Sequence, residues 1–586
     1  MNSKNTLKKV LASILSFSFT LPFFAQNTAL RSADLSSLKP SWQAVIGGES
    51  LAPVAETSYG FAVITDGRMI STCTYKGSVM WQKGIKGRGT KYFTSYGDFL
   101  YAVTDGSTLN FINPGGKPLW STDAGFKITA SPFCGRDGRV FVLGEHSAAC
   151  YGLKGSEKWK VTFDTALTDK ISELPDGSLL VYNLQTSGGK TQGTRLSPFG
   201  EILEQITFAG EIVAAESSRD GVLMSFADGS FGLCTTEKNA AVSKWVSKKE
   251  SASPVKAIIA SGEKSALFYN TGTELNVLII KNKNGELLKN FSAGTLSLNE
   301  ISSLRATSQG FYISDSFRAL ECTSDGTILW EARLPSRSKW NYVSYTNTNQ
   351  ILLCMKDWTL NAFVMRQGVS GKKSLKKAET AAYTTPSKKT QIIDGVVYSS
   401  IPSSRIEQIK SAFESRQFGT QEREMLENLQ EIQNSYIEEL YKTAKNSRED
   451  SSFFSKNPLY TNPALQAMTA AETDIFTAGI AAAINLEKDP LMTQILIAQA
   501  GKMQYDRDGE ILKALEQFSS KKLTRKDVKT AQLLCDATYR IVEFMGRPAF
   551  YRQGRQIISS LMTAKFDQET RNYASTTFQK IINLEN

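Results

Sequence analysis

Short runs of alternating apolar and polar residues fill the first two thirds of the chain, and a helical spacing fills the last third. From Leu51 to Glu56 and from Gly60 to Thr65 the alternation predicts two strands. Asp66-Gly67 is a tight hairpin signal, and Arg68 to Thr74 reads as a third strand. Lys76-Gly77 then turns the chain into a fourth, which carries Trp81. Asp105-Gly106 and Asp228-Gly229 mark the same hairpin further on.

This four-strand unit recurs. Trp42, Trp81, Trp120 and Trp159 are spaced by 39 residues each time. A glycine stands four residues before three of them (Gly77, Gly116 and Gly155), and the unit returns as Gly326 and Trp330. Weaker copies run from Gly200 to Glu204, from Ala241 to Trp245 and from Gly285 to Lys289. A period near 40 with short strands means propeller blades or a β solenoid. Four strands per period is one blade.

Across Trp42 to Gln367 the pattern resembles the quinoprotein-type (PQQ-like) β-propeller family, whose blades end in a turn glycine followed four residues later by a tryptophan. The resemblance implies that Trp42, Trp81, Trp120, Trp159, Trp245 and Trp330 dock on neighbouring blades, each covering the seam between two sheets. Glu204 and Lys289 stand where two blades lack the tryptophan, so looser seams are expected there. Counting strands gives eight blades. No fourth strand follows the run from Thr359 to Met365, and Trp42 to Ile46 is left over at the other end. The expectation is that these two pair and close the ring, leaving no exposed edge.

From Ser403 onward the spacing is helical. Leu429, Ile432, Tyr436 and Leu440 share a face, and Asp489-Pro490 reads as an N-cap followed by proline at the first helical position. Further helices are expected at 509–518, 525–545, 550–562 and 568–582, stacked in pairs that resemble HEAT-type repeats. The expected organisation is multidomain β plus α. A signal peptide spans 1–25, the eight-bladed propeller 42–367, a basic linker 368–400, and an all-α, solenoid-like domain 401–586.

The signal-peptide reading rests on a basic opening from Met1 to Lys9 and an apolar run from Val10 to about Phe24. Ala25 and Ala29 are the small residues available before a cut. The expected location is therefore outside the cytoplasm, periplasmic or secreted, with no membrane span in the mature chain. The formal net charge of +11 changes meaning once it is divided. Lys4, Lys8 and Lys9 account for three of it. Six lysines against Glu379 between 372 and 389 account for five, which leaves about +3 elsewhere. A nucleic-acid-binding face is not expected from that balance, and the lysine-rich stretch reads as a solvated tether. After it, Ile392 to Tyr398 has the pattern of a small hairpin.

Candidate chemistry is sparse. His146 is the only histidine, placed in a predicted hairpin where it reads as a polar turn residue. The seven cysteines form no C-x-x-C pair, and Cys73 and Cys322 read as buried fillers. Quinone-dependent members of the resembled family use adjacent cysteines and an acidic calcium site, and neither motif is present here. Gly87 to Lys91 has the wrong order for a phosphate loop. In Asp506-Arg507-Asp508-Gly509 the twelfth calcium-loop position falls on Leu515, so Asp508 reads as a helix cap. No catalytic, metal or cofactor residue is expected.

The expected function is an exported, non-catalytic scaffold of the bacterial cell envelope, binding protein partners through a propeller face and the helical domain. The alternative is a periplasmic enzyme or small-ligand binder using the central channel. The candidate partner-binding residues are Phe317, Arg318, Arg337, Trp340 and Trp358, an aromatic and basic set.

Overall fold

A computed structural model describes residues 32–365 apart from short turns, two short strands at 387–388 and 393–397, and residues 477–585 apart from two positions. The signal peptide, most of the linker, the predicted helix around Leu429 to Leu440 and Asp489 lie outside the described residues.

The strands form an eight-bladed β-propeller. Blade 1 runs from its innermost strand Ala55–Glu56 to its outer strand Val79–Gly84, and blade 2 from Gly89–Tyr96 to Pro118–Asp123. Blade 3 runs from Phe133–Cys134 to Glu157–Thr162, and blade 4 from Leu167–Glu173 to Ile202–Phe208. Blade 5 spans Ile212–Ser218 to Ala240–Lys248, blade 6 Ala257–Ser261 to Leu287–Thr295, and blade 7 Ser303–Ala306 to Ile328–Arg333. Blade 8 takes three strands from the end of the repeat region, Trp340–Tyr345, Gln350–Met355 and Thr359–Val364. Its outer strand is Trp42–Val45, antiparallel to Thr359–Val364 with Trp42 opposite Ala362 and Val45 opposite Thr359. The ring closes by pairing the two ends of the propeller.

Apolar side chains collect at the seams between blades. Ile46, Phe61 and Val63 pack with Leu352, Leu360 and Ala362 across the join of blades 8 and 1. Five seams also carry a fixed contact on the face that holds the turns between third and outer strands, called the lower face below. The rings of Trp42, Trp81, Trp120, Trp159 and Trp245 lie against Gly77, Gly116, Gly155, Gly200 and Gly285 of the following blade. The indole N–H groups of Trp81, Trp120 and Trp245 donate to Pro114 O, Leu153 O and Asn282 O at 2.8, 2.9 and 2.8 Å. Trp330 differs. Blade 8 has no third-to-outer turn, and Trp330 stays buried against Tyr312 and Tyr345, donating to Glu321 Oε2 at 2.8 Å.

Glu204 corrects the expectation of a loose seam. Its buried carboxylate pairs with the buried Arg195 and accepts the Ala241 N–H of blade 5 at 3.0 Å. A charged, hydrogen-bonded bridge stands where other blades use an indole.

Three short segments add fifth strands to outer edges. Ser32–Asp34 pairs in parallel with Glu331–Arg333 of blade 7, and Ala33 and Leu35 are buried beside Trp330. Ile393–Val397 pairs with Glu204–Phe208, and Ser387–Lys388 with Trp245–Val246. The stretch 392–398, read as a self-contained hairpin, instead gives one strand on the edge of blade 4, and the end of the lysine-rich stretch before it pairs with blade 5. An edge strand's unpaired N–H and C=O groups explain the preference.

The helices are α1 Thr477–Leu486, α2 Pro490–Met503, α3 Glu510–Lys521, α4 Val528–Met545, α5 Pro548–Leu561 and α6 Gln568–Glu585. Alternate helices pack: α1 on α3, α3 on α5, α2 on α4 and α4 on α6. Side-chain bonds repeat at an offset of 37 residues, linking Glu516 to Gln553, Gln532 to Glu569 and Asp536 to Tyr573. That periodicity marks stacked helix pairs. Asp506, not Asp508, caps α3. Its buried carboxylate accepts Ile511 N–H at 3.1 Å and Leu512 N–H at 2.9 Å.

Helices and propeller share one apolar core. Phe99 of blade 2 lies 5.9 Å from the Tyr505 ring and 5.8 Å from Phe544. Gly546 ends α4 in a left-handed conformation, φ +59°, and a Cβ there would lie 2.3 Å from Asn113 Nδ2. Only glycine permits that approach. Arg547 Nε meets the buried Asp98 carboxylate at 2.7 Å, and Lys154 Nζ donates to Lys502 O at 2.8 Å. The propeller groups in these contacts lie in the lower-face turns of blades 2 and 3.

Candidate partner-binding face

The upper face carries the turns between second and third strands and the connections from blade to blade. In blade 5 such a turn is Asp228-Gly229, with Gly229 at φ +83° and Asp228 Oδ1 accepting the Ser230 N–H at 2.9 Å and O–H. In blade 8 the same arrangement is built on Asp357-Trp358. Asp357 Oδ1 accepts the Thr359 N–H at 3.2 Å and O–H at 2.6 Å, and Trp358 takes glycine's place at φ +68°. A bulky residue with positive φ is held against its own preference. Its side chain is also 56% exposed, so packing does not explain it. Phe317, on the matching turn of blade 7, is 64% exposed.

The other sequence candidates behave differently. Trp340 is fully buried, with its indole N–H on Pro335 O at 3.0 Å, and leaves the candidate set for the core. The Arg337 guanidinium stacks 4.1 Å from the Trp340 ring centroid and bonds to the Trp340 carbonyl. Arg318 pairs with Glu331 and donates to Thr295 O at 2.9 Å. These two arginines are therefore engaged within the fold, and the exposed centre of the patch is Phe317 and Trp358.

At the lower mouth of the channel lies a cavity of about 740 Å³, lined by Glu56, Tyr75, Asp98, Arg305, Arg507 and Arg547 among others. Glu56 of blade 1 pairs with Arg305 of blade 7 and accepts the Asn347 N–H of blade 8 at 3.0 Å. Asp98 accepts the Ser58 N–H and O–H at 2.7 and 2.8 Å as well as facing Arg547. The acids here are matched by arginines and serve to tie blades and helices together. Deeper features are isolated. Glu216, on the innermost strand of blade 5, is itself exposed, while the crowding of protein around it raises its carboxyl to about 7. Among the described residues no group of three or more His, Cys, Asp and Glu side chains could hold a metal ion.

His146 sits in the upper-face turn of blade 3, with Nδ1 at 3.3 Å from Phe163 O and Glu145 4.0 Å away. All seven cysteines are free, and burial pushes Cys73 up to about 11 and Cys354 to about 12, far from a reactive thiolate. In Gly87 to Lys91, Arg88 N–H bonds to Asp105 Oδ1 at 2.8 Å, which makes that loop a latch between strands.

The sequence matches no family model, and no curated protein matches it. Solved structures similar to the chain include BamB from Moraxella catarrhalis, at 12% identity and a TM-score of 0.41, covering 56% of this chain and 99% of that one. Sqt1 from Saccharomyces cerevisiae is 10% identical with a TM-score of 0.41, covering 56% of this chain and 99% of that one. The Dos1 propeller is 11% identical with a TM-score of 0.41, covering 58% and 97%. At such identities the likeness is one of fold alone. No helix among the described residues is long and apolar enough to cross a membrane.

Proposed function

We propose that this chain is an exported, non-catalytic scaffold of the cell envelope that holds a protein partner on the upper face of its propeller. The observation that carries the reading is Trp358, an exposed indole kept in a conformation that suits glycine. Strain of this kind persists where something other than folding selects the residue. Exposed aromatic side chains on neighbouring turns are the composition of binding hot spots. The helical domain occupies lower-face turns of blades 2 and 3, so the described helices leave the upper-face patch uncovered. Export rests on the basic-then-apolar opening of the chain. A cut between Gln26 and Ser32 would leave the edge strand Ser32–Asp34 intact.

Site-specific photo-crosslinking in cells tests the face. A photoreactive residue at 317 or 358 is expected to give a discrete protein adduct, while one at the exposed lower-face position 76 gives none. Equal adducts at all three positions, or none at 317 and 358, would overturn the reading.

A further inference from the structure

Resting on the upper-face reading, we propose that the patch takes an acidic segment of a partner protein that carries at least one apolar side chain. Backbone bonds make the patch continuous. Phe317 O accepts the Leu334 N–H at 2.7 Å, and Leu334 opens the connection to blade 8. At the end of that connection Lys339 O accepts the Lys356 N–H at 3.0 Å. Lys356 begins the turn that holds Trp358, and Trp358 O accepts the Ile46 N–H at 2.9 Å. One hydrogen-bonded run of loop therefore joins the two exposed rings.

Five cations, Arg318, Arg333, Arg337, Lys339 and Lys356, stand along this run against three acids, Asp315, Glu331 and Asp357. Lys339 and Lys356 are both exposed, and their side chains have no acidic partner among the described residues. Their backbones are bonded to each other, which puts the two lysines on adjoining positions of the loop run. Two of the three acids are engaged within the fold. Asp315 is buried and accepts N–H groups of Ser297, Phe317 and Arg318. Glu331 holds Arg318, whereas Asp357 bonds the neutral N–H and O–H of Thr359 and keeps its charge. What remains for a partner is two lysines, with Asp357 beside them, on the loops that join two exposed rings. An apolar side chain flanked by carboxylates complements that surface. Two lysines are too few for the phosphate-tracking stripe of a nucleic-acid face.

The test uses the full-length mature chain and fluorescein-labelled probes read by anisotropy. One probe is a short Asp/Glu-rich peptide with a central leucine. A second replaces its acids by serine, and a third is an oligothymidylate of similar length. The acidic peptide is expected to bind saturably and to weaken as salt rises. Lys339→Glu/Lys356→Glu and, separately, Trp358→Gly are each expected to weaken it about tenfold or more. Trp358→Gly suits the backbone there, so an undiminished melting temperature shows that its loss is not misfolding. If the serine peptide binds as tightly, the acidic inference falls while the face itself, tested by crosslinking at 317 and 358, stands. Equal binding of the oligothymidylate, or no binding of the acidic peptide, overturns the inference outright.

Discussion

The ring of Trp42 lies flat against the α-carbon of Gly77, so close that a Cβ on Gly77 would sit 2.4 Å from it. Trp42 belongs to the strand that closes blade 8, and Gly77 to a turn of blade 1, where it holds φ +84°. The contact therefore fastens the join of the ring. Gly77→Ala is expected to cost about 2–4 kcal/mol, combining left-handed strain with overpacking. Gly106 is the control. It has φ +81° and nothing within 4 Å of a Cβ, so Gly106→Ala should cost only the strain, about 1–2 kcal/mol. Urea denaturation separates the two, and equal costs would show that the Trp42 contact is unimportant.

The seam between blades 4 and 5 makes a different demand. Removing the Glu204 carboxylate strands Arg195 without its counter-charge in the core, at a cost of about 3–5 kcal/mol for Glu204→Ala. Replacing both by apolar residues, Arg195→Met with Glu204→Leu, should recover most of that loss. A double variant as unstable as the single one would mean that the contact to Ala241, not the charge pair, holds the seam.

Much of the architecture was legible because the repeat is regular. The 39-residue spacing placed four strands per blade, and the unmatched strand at Trp42 left ring closure as the economical solution. The misses have physical causes. Glu204 interrupts the glycine–tryptophan pattern, and nothing local reveals that Arg195 lies opposite it on the next strand. Ser32–Asp34 is too short for periodicity, and its partners lie some 300 residues away. Asp506 and Asp508 look equally able to cap a helix, and only tertiary burial selects the first. Trp340 and Trp358 are both aromatic residues near the ends of strands. Their fates diverge because Trp340 begins a strand and points into the seam, whereas Trp358 is on the turn itself. The patch was therefore half legible, as its exposed turns but not its buried anchor.

At the junction of propeller and helices, Arg547 and Asp98 form the most enclosed ion pair, and Asp98 is also bonded to Ser58 of blade 1. Arg547→Ala leaves a buried carboxylate facing no cation and is expected to cost about 3–5 kcal/mol. Hydrogen exchange should show faster opening in α4 and α5 before any change in blades 5 and 6. Lys117→Ala removes only an exposed pair with Glu543 and should be nearly silent. Matching exchange in both variants would refute the role given to Asp98.

Two carboxyl groups are raised by desolvation, the buried Asp506 to about 6 and the exposed but crowded Glu216 to about 7. The folded state therefore binds these protons more tightly than the unfolded chain does. Their contribution to stability is fully present below the unfolded carboxyl pKa near 4 and is lost as pH rises through 6 and 7. Glu216→Gln should flatten the fall between about pH 5 and 7 in a melting-temperature series. An unchanged slope would show that Glu216 is better hydrated than its surroundings indicate.

The most direct test of the upper face compares stability and binding in Trp358→Gly, using the partner identified by crosslinking. Glycine removes the left-handed strain, so the melting temperature should stay level or rise. Losing a hot-spot indole should weaken partner binding by about 2 kcal/mol, roughly thirtyfold. A variant that melts no lower and binds thirtyfold more weakly is the predicted result. One that binds as tightly as the parent, or that loses stability instead, would contradict it.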